Sequence, residues 1–122
     1  MTARPTVLLC DDSRALRMLA AGQLEEAGFR VAGEAGNGLD AFAQYQALKP
    51  DLVLLDLVMP ECDGRQALAR ILEADPKARV VILSSLGAQS DIEECLRLGA
   101  LSYLQKPIDP EAMERVLRDA LA

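Results

Sequence analysis

Several polar residues that could do chemistry follow short apolar runs in this sequence. They supply carboxylate, hydroxyl and ammonium groups, which together suit a site that binds a metal ion and a phosphate. The set is Asp11, Asp12, Asp56, Ser84, Ser85 and Lys106.

The carboxylates of this set would repel one another if they met at one site. A divalent hard cation, Mg²⁺ or Mn²⁺, is the simplest compensation, because such ions prefer oxygen ligands. Asp56 would then bind the metal and also act as the nucleophile toward a phosphoryl group. The metal, Lys106 and the Ser84 hydroxyl could offset the charge of the resulting acyl phosphate.

The sequence contains no histidine. This excludes Ser-His-Asp and Cys-His catalysis, histidine-containing zinc sites and a role as a phosphohistidine carrier. Any chemistry must therefore use carboxylates, hydroxyls, lysine and a metal.

The elements that must position these residues alternate along the chain. Continuous apolar runs at 7–10, 52–55 and 80–83 predict strands that are buried on both faces of a parallel sheet. Runs of mixed polarity at 30–35 and 101–105 predict strands at the sheet edges.

Helical spacing of apolar residues separates the predicted strands. In the first helix the core-facing set would be Leu16, Leu19, Ala20 and Leu24. The last helix would begin with Asp109 as N-cap and Pro110 at the first helical position, and Asp63-Gly64 would open the third.

The pattern is thus β-α repeated five times, which predicts one three-layer α/β domain over residues 1–122 with right-handed crossovers. The carboxyl ends of parallel strands meet at one sheet edge, where ligands bind. Each polar residue alone has an ordinary explanation, such as an N-cap or a loop lysine. Their joint placement at four strand ends favours a single site.

Net charge, cysteine spacing and the length of the apolar stretches indicate which partners and which cell compartment suit this chain. A net charge of −6 disfavours direct nucleic-acid binding, because there is no basic excess to release counterions. The three cysteines lack CxxC spacing, which indicates reduced intracellular thiols. No apolar stretch approaches the roughly 20 residues of a membrane span. We expect a cytoplasmic protein without membrane association.

Four segments resemble the receiver domain of bacterial two-component response regulators, and most of all the single-domain chemotaxis-type receivers. They are LLCDDS at 8–13, LLDLVMPECDG at 54–64, VVILSS at 80–85 and LGALSYLQKP at 98–107. The resemblance covers essentially the whole chain. It implies a (βα)5 flavodoxin-like fold with strand order 2-1-3-4-5.

The resemblance also implies a role for each site residue. Asp56 would be the phosphoacceptor, and Asp11 and Asp12 the acidic metal pair, with Asp12 a direct ligand. The carbonyl of Val58 would be a further metal ligand.

Ser84 would be the switch hydroxyl, with Ser85 next to it at the phosphate site. Lys106 would be the cation that pairs with the phosphate. Tyr103 would be the switch aromatic residue, and Pro107 would follow a cis peptide bond.

The function implied is a phosphorylation-dependent switch that catalyses only its own phosphorylation and dephosphorylation. The phosphoryl donor would be the phosphohistidine of a sensor kinase or of a phosphotransfer protein. A downstream protein target would bind the face built from 88–98, 101–105 and 109–121. The protein would be a monomer or weak dimer, because Leu101-Ser102 replaces the acidic pair of regulators that dimerise through this face.

Three residues near the predicted site carry further hypotheses. Val58 and Leu86 are apolar at two positions that flank the path of the hydrolytic water in receivers. We therefore expect slow loss of the phosphoryl group unless a partner phosphatase assists. Cys62 would be the exposed, reactive cysteine, whereas Cys10 and Cys95 would be buried.

Other functions remain open at this point. The receiver could act in a phosphorelay or serve a transcriptional regulator. A haloacid-dehalogenase-like phosphohydrolase would also use strand-end aspartates with Mg²⁺, but in an Asp-x-Asp arrangement on the first strand, whereas Asp11 and Asp12 are adjacent. A flavodoxin-like flavin carrier would need a Ser/Thr-rich phosphate loop where these two aspartates stand.

Overall fold

The computed structural model describes residues 4–59, 63–85 and 89–122. Cys62 and Leu86 lie outside the described residues, so the hypotheses about them stay predictions.

Within the described ranges, five strands and five helices alternate, as the sequence predicts. The strands are β1 Thr6–Cys10, β2 Arg30–Ala35, β3 Leu52–Asp56, β4 Val80–Ser84 and β5 Ser102–Gln105. The helices are α1 Arg14–Glu26, α2 Gly38–Leu48, α3 Gly64–Ala74, α4 Gln89–Leu98 and α5 Pro110–Leu121. None of the helices in the described ranges is both long and apolar enough to cross a membrane.

The strands form one parallel sheet in the order β2-β1-β3-β4-β5, which confirms the predicted fold and edge strands. Each central strand supplies side chains to two cores in alternation. On β1, for example, Leu8 belongs to the core on the side of α2, α3 and α4, whereas Leu9 belongs to the core on the side of α1 and α5. Burial on both faces explains why these strands appear in the sequence as continuous apolar runs.

Side-chain caps begin α1, α3 and α5, three of the helices that follow the strands. Ser13 caps α1, and its side chain accepts a hydrogen bond from the backbone N–H of Leu16, so the Asp11-Asp12 pair lies just before a helix. Asp63 and Asp109 cap α3 and α5 as predicted. The strand ends and helix starts therefore meet at one edge of the sheet.

The predicted core face of α1 is wrong at one position. Ala20 and Leu24 are buried against the sheet, but Leu19 is 59% exposed and Leu16 is half-buried. Successive helical residues are turned by about 100°, so Leu19 lies on the solvent side of the stripe that contains Ala20. Leu19 lines the rim of a small apolar cavity of about 70 Å³, which Leu16, Ala20 and Ile108 also line.

Candidate functional site

Three aspartates meet at the carboxyl edge of the sheet. Asp11, Asp12 and Asp56 each present a carboxylate oxygen, and these atoms all lie within 4.8 Å of one another. The reason is strand adjacency, because β1 pairs directly with β3 and Cys10 lies opposite Leu55. Asp11 and Asp56 are buried, whereas Asp12 is exposed. The acidic cluster predicted from the strand ends is therefore present.

Lys106 reaches into this cluster from the end of β5. Its Nζ lies 2.9 Å from Oδ2 of Asp11 and 3.1 Å from Oδ2 of Asp56. Its backbone N–H donates to the carbonyl of Ser84 at 2.8 Å, which holds the start of the following loop against β4. The Lys106–Pro107 peptide bond is cis, as the resemblance to receivers implies.

Ser84 ends β4, one strand away from Asp56. It is 1% exposed, and its Oγ has no hydrogen-bond partner among the described residues. An unsatisfied buried hydroxyl costs about 1–3 kcal/mol, so a ligand that formed a hydrogen bond with this group would remove that cost. Its neighbour Ser85 is exposed.

The electrostatics of the cluster follow from its burial. Burial raises the pKa of Asp56, the hydrogen bond from the Val58 N–H (3.2 Å) partly offsets this, and the nearby charge of Asp11 raises it further. Burial alone would lower the pKa of Lys106, but the hydrogen bond to Asp11 and the charge of Asp56 raise it above the usual lysine value. The ammonium is therefore fully protonated at neutral pH, where it neutralises part of the acidic charge.

The donor set fits a hard divalent cation. Three carboxylates and one ammonium leave a formal charge of two negative units, which Mg²⁺ or Mn²⁺ would neutralise. All the donor atoms are oxygens, the type these ions prefer. The exposed Asp12 leaves one side of the cluster open to water, which matches the preference of Mg²⁺ for several water ligands.

Leu57 and Val58, the first residues after β3, lie close to the cluster and to the start of α3. The N–H of Gly64 donates to the carbonyl of Leu57 at 2.9 Å. A Cβ at position 64 would collide with the carbonyl of Asp56 and the Cα of Leu57, so only glycine allows this approach. The side chain of Val58 is 73% exposed.

Tyr103 lies on the edge strand β5, opposite Ile82 of β4. Its side chain is 45% exposed and makes no hydrogen bond to the acidic cluster within the part of the chain that the structure describes. The structure thus brings together Asp11, Asp12, Asp56 and Lys106, with Ser84 on the adjacent strand, and leaves Tyr103 and Ser85 on the surface.

Arg17 is a residue beside the site that the sequence prediction missed. Its Nη1 donates to the backbone carbonyl of Asp11, and its Nε donates to Oε1 of Glu34 at 3.0 Å. A signal was available, because a cation near a helix N-terminus opposes the helix dipole. An arginine four residues after the Ser13 cap therefore needs a local partner.

Known proteins are similar to this chain in sequence. The profile of the family described as response regulator receiver domain matches residues 7–118. The chemotaxis protein CheY of Thermotoga maritima is 38% identical over 91% of this chain and 92% of its own length. CheY of Listeria monocytogenes is 36% identical over 93% of this chain and 96% of its own.

Solved structures agree. The CheX–CheY–BeF3–Mg complex from Borrelia burgdorferi contains a chain of 30% identity with a TM-score of 0.91, covering 96% of this chain and 89% of that one. The response regulator domain of Thermotoga maritima CheB gives 33% identity and a TM-score of 0.85, with 98% of both chains covered. With its acidic site, its sheet order and these relatives, the chain belongs to the response regulator receiver domains, signalling modules that are phosphorylated on an aspartate with Mg²⁺.

Proposed function

We propose that Asp56 is the aspartate of this receiver domain that accepts the phosphoryl group. The observation that carries the proposal is its central position. Asp56 ends β3, which lies between β1 with its acidic pair and β4 with the buried Ser84 hydroxyl. A phosphoryl group on Asp56 would therefore have the metal-binding groups on one side and hydrogen-bonding groups on the other.

The metal ligands would be the carboxylates of Asp11, Asp12 and Asp56 and the backbone carbonyl of Val58. Their support is the close approach of the three carboxylates and the hydrogen bond that ties the Val58 N–H to Asp56. When bound, Mg²⁺ supplies neutralisation of the charge that three phosphoryl oxygens bring to the site.

The reaction is transfer from a phosphohistidine of a sensor kinase or of a phosphotransfer protein. A carboxylate oxygen of Asp56 attacks phosphorus, the N–P bond breaks, and the imidazole leaves with the electron pair and takes up a proton. The Lys106 ammonium donates a hydrogen bond to Oδ2 of Asp56, and it would pair with the phosphoryl oxygens. The Ser84 hydroxyl, which has no hydrogen-bond partner among the described side chains and backbone groups, would donate to one of them.

The output would be a change in the face formed by α4, β5 and α5, with Ser84 and Tyr103 as the switch residues. This face carries large apolar side chains in contact with solvent, including Leu98 (46% exposed), Leu101 (50%) and Tyr103 (45%). Such a surface suits a downstream protein target better than a nucleic acid, given the net charge of −6.

We propose a monomer or weak dimer in the cytoplasm, where the free thiols of Cys10 and Cys95 would stay reduced.

The protein would catalyse only its own phosphorylation and dephosphorylation, and it would not hydrolyse other phosphorylated substrates. The test is intact-mass measurement after incubation with acetyl phosphate, with and without Mg²⁺, for the wild type and Asp56→Asn. We expect one phosphoryl group per wild-type molecule with Mg²⁺ and no labelling of the variant. Equal labelling of the variant would overturn the assignment of Asp56, and catalytic release of phosphate from phosphomonoesters would indicate a hydrolase.

A further inference from the structure

Every polar group of Asp11 is held by a defined partner. Its N–H donates to the carbonyl of Ala35 at 3.0 Å, and its Oδ1 accepts from the N–H of Ser13 at 2.9 Å. Its Oδ2 pairs with Lys106, and its backbone carbonyl accepts from Arg17. The neighbouring Asp12 is different, because its carboxylate is exposed and accepts no hydrogen bond from the described residues.

The peptide bond between the two aspartates connects the carbonyl that Arg17 binds to the backbone of Asp12. A peptide unit is planar, so the Asp11 carbonyl and the Asp12 N–H share one plane. The hydrogen bond from Arg17 therefore fixes the plane from which the Asp12 side chain projects.

Arg17 is itself anchored. Its side chain is only 18% exposed, and its Nε is paired with Glu34 on β2. Glu34 is held in turn, because its backbone carbonyl accepts a hydrogen bond from Gln44 on α2 at 2.6 Å. The rigid fork of a guanidinium can make both contacts at once, which a single ammonium cannot do with the same geometry.

We propose that Arg17 is a positioning residue for the metal site: it orients Asp12 through the Asp11–Asp12 peptide and so sets the affinity for Mg²⁺. The inference deepens the proposed function and rests on its assignment of Asp11 and Asp12 as metal ligands. Groups that orient metal ligands from behind contribute about 10–100-fold to metal affinity.

Two simpler explanations give different results. If Arg17 acted only through its charge, its removal would strengthen Mg²⁺ binding, because a cation next to a cation site is repulsive. If it acted only as a staple between α1 and β2, its removal would lower thermal stability and leave the metal affinity unchanged. The direction of the change in affinity therefore separates positioning from both alternatives.

Arg118 on α5 provides a matched control, because it binds a backbone carbonyl at the other end of α1. Nη2 of Arg118 donates to the backbone carbonyl of Ala27 at 2.8 Å, just as Arg17 donates to Asp11. Arg17→Met and Arg118→Met each remove one positive charge and one arginine–carbonyl hydrogen bond. Only the first of these bonds involves a predicted metal ligand.

The experiment is calorimetric titration of the metal-free protein with Mg²⁺, with the Tm of each metal-free variant measured by circular dichroism. We expect Arg17→Met to weaken Mg²⁺ affinity about tenfold, Arg118→Met to bind like the wild type, and both to melt at lower temperature. Arg17→Lys, which keeps the charge but loses the fork, should also bind more weakly than the wild type.

Unchanged or tighter Mg²⁺ binding in both Arg17 variants would overturn the inference, as would equal weakening in Arg118→Met. Failure of the proposed function looks different, since the wild type itself would then not bind Mg²⁺ or would not be labelled by acetyl phosphate.

Discussion

Replacement of Lys106 by methionine tests the charge balance of the site. Methionine keeps most of the apolar stem and removes the ammonium that lies 2.9 Å from Asp11 and 3.1 Å from Asp56. The two carboxylates are almost fully buried, so the variant leaves two like charges without a counter-ion.

The magnitude follows from burial. Loss of one partner of a fully buried ion pair costs about 3–5 kcal/mol, whereas exposed pairs contribute about 0–1 kcal/mol. The Lys106 side chain is 18% exposed and those of Asp11 and Asp56 are 3% and 5% exposed, so the lower end of the buried range applies. We expect a loss of about 3 kcal/mol, which corresponds to a drop in Tm of about 10 °C for a domain of this size.

The pH dependence has a definite sign. The pKa of Lys106 is raised in the fold, so its contribution to stability is complete below the unfolded pKa of lysine and is lost only as the pH rises through the raised value. The pKa of Asp56 is also raised, so this group favours the folded state at acidic pH and loses that contribution as the pH rises. The defect of Lys106→Met should therefore be largest near neutrality and shrink as the pH falls toward the usual range of aspartate.

The assay is urea denaturation of the metal-free protein, repeated with Mg²⁺. Because a divalent cation can replace the missing positive charge, Mg²⁺ should stabilise the variant more than the wild type at equal concentration. A free Mg²⁺ concentration of a hundred times Kd raises the free energy of unfolding by about 2.7 kcal/mol. Lys77→Met at an exposed position changes the net charge equally and should stay within about 0.5 kcal/mol. A loss below about 1 kcal/mol in Lys106→Met, or equal stabilisation of both proteins by Mg²⁺, would refute this reasoning.

Three further predictions concern the loop after β3 and the buried thiols. Val58→Asn should speed the loss of the phosphoryl group by giving the hydrolytic water a polar contact, as followed by intact mass over time; an unchanged rate would count against the hypothesis of a long-lived phosphorylated state. Gly64→Ala should lower the free energy of unfolding by about 2 kcal/mol, because its Cβ meets the backbone of Leu57; a urea midpoint equal to that of the wild type would contradict the close approach. Cys10 and Cys95 should resist iodoacetamide at neutral pH, because burial raises the pKa of Cys95 to about 11 and that of Cys10 further still; labelling of either in the native protein, found by peptide mass analysis, would be inconsistent with this burial.

The strands could be predicted from the sequence because their environment is uniform. β3 and β4 are buried along their whole length, so nearly every residue had to be apolar and each run ended where the polar site began. The convergence of the carboxylates then followed from the parallel topology together with the adjacency of β1 and β3, which the resemblance to receivers implied. The helices were harder, since an apolar residue such as Leu19 matches helical spacing and still lies on the surface.

The site could be predicted only in part. Asp11, Asp12 and Asp56 were identified because carboxylates at strand ends are a pattern of side-chain types. Arg17 was not, because its position near the start of α1 indicates only that it needs a partner. That partner is a backbone carbonyl, which no residue type in the sequence identifies. The sharing of one Lys106 ammonium between two carboxylates likewise depends on a distance between strands that only the structure gives.

The most direct test of the central claim is to locate the acyl phosphate. Protein treated with acetyl phosphate and Mg²⁺ is reduced with borohydride, which converts an aspartyl phosphate to homoserine and releases phosphate, and the peptides are then sequenced by mass spectrometry. We predict homoserine at position 56 and unchanged aspartate at Asp11 and Asp12. Homoserine at position 11 or 12, with Asp56 intact, would contradict the account.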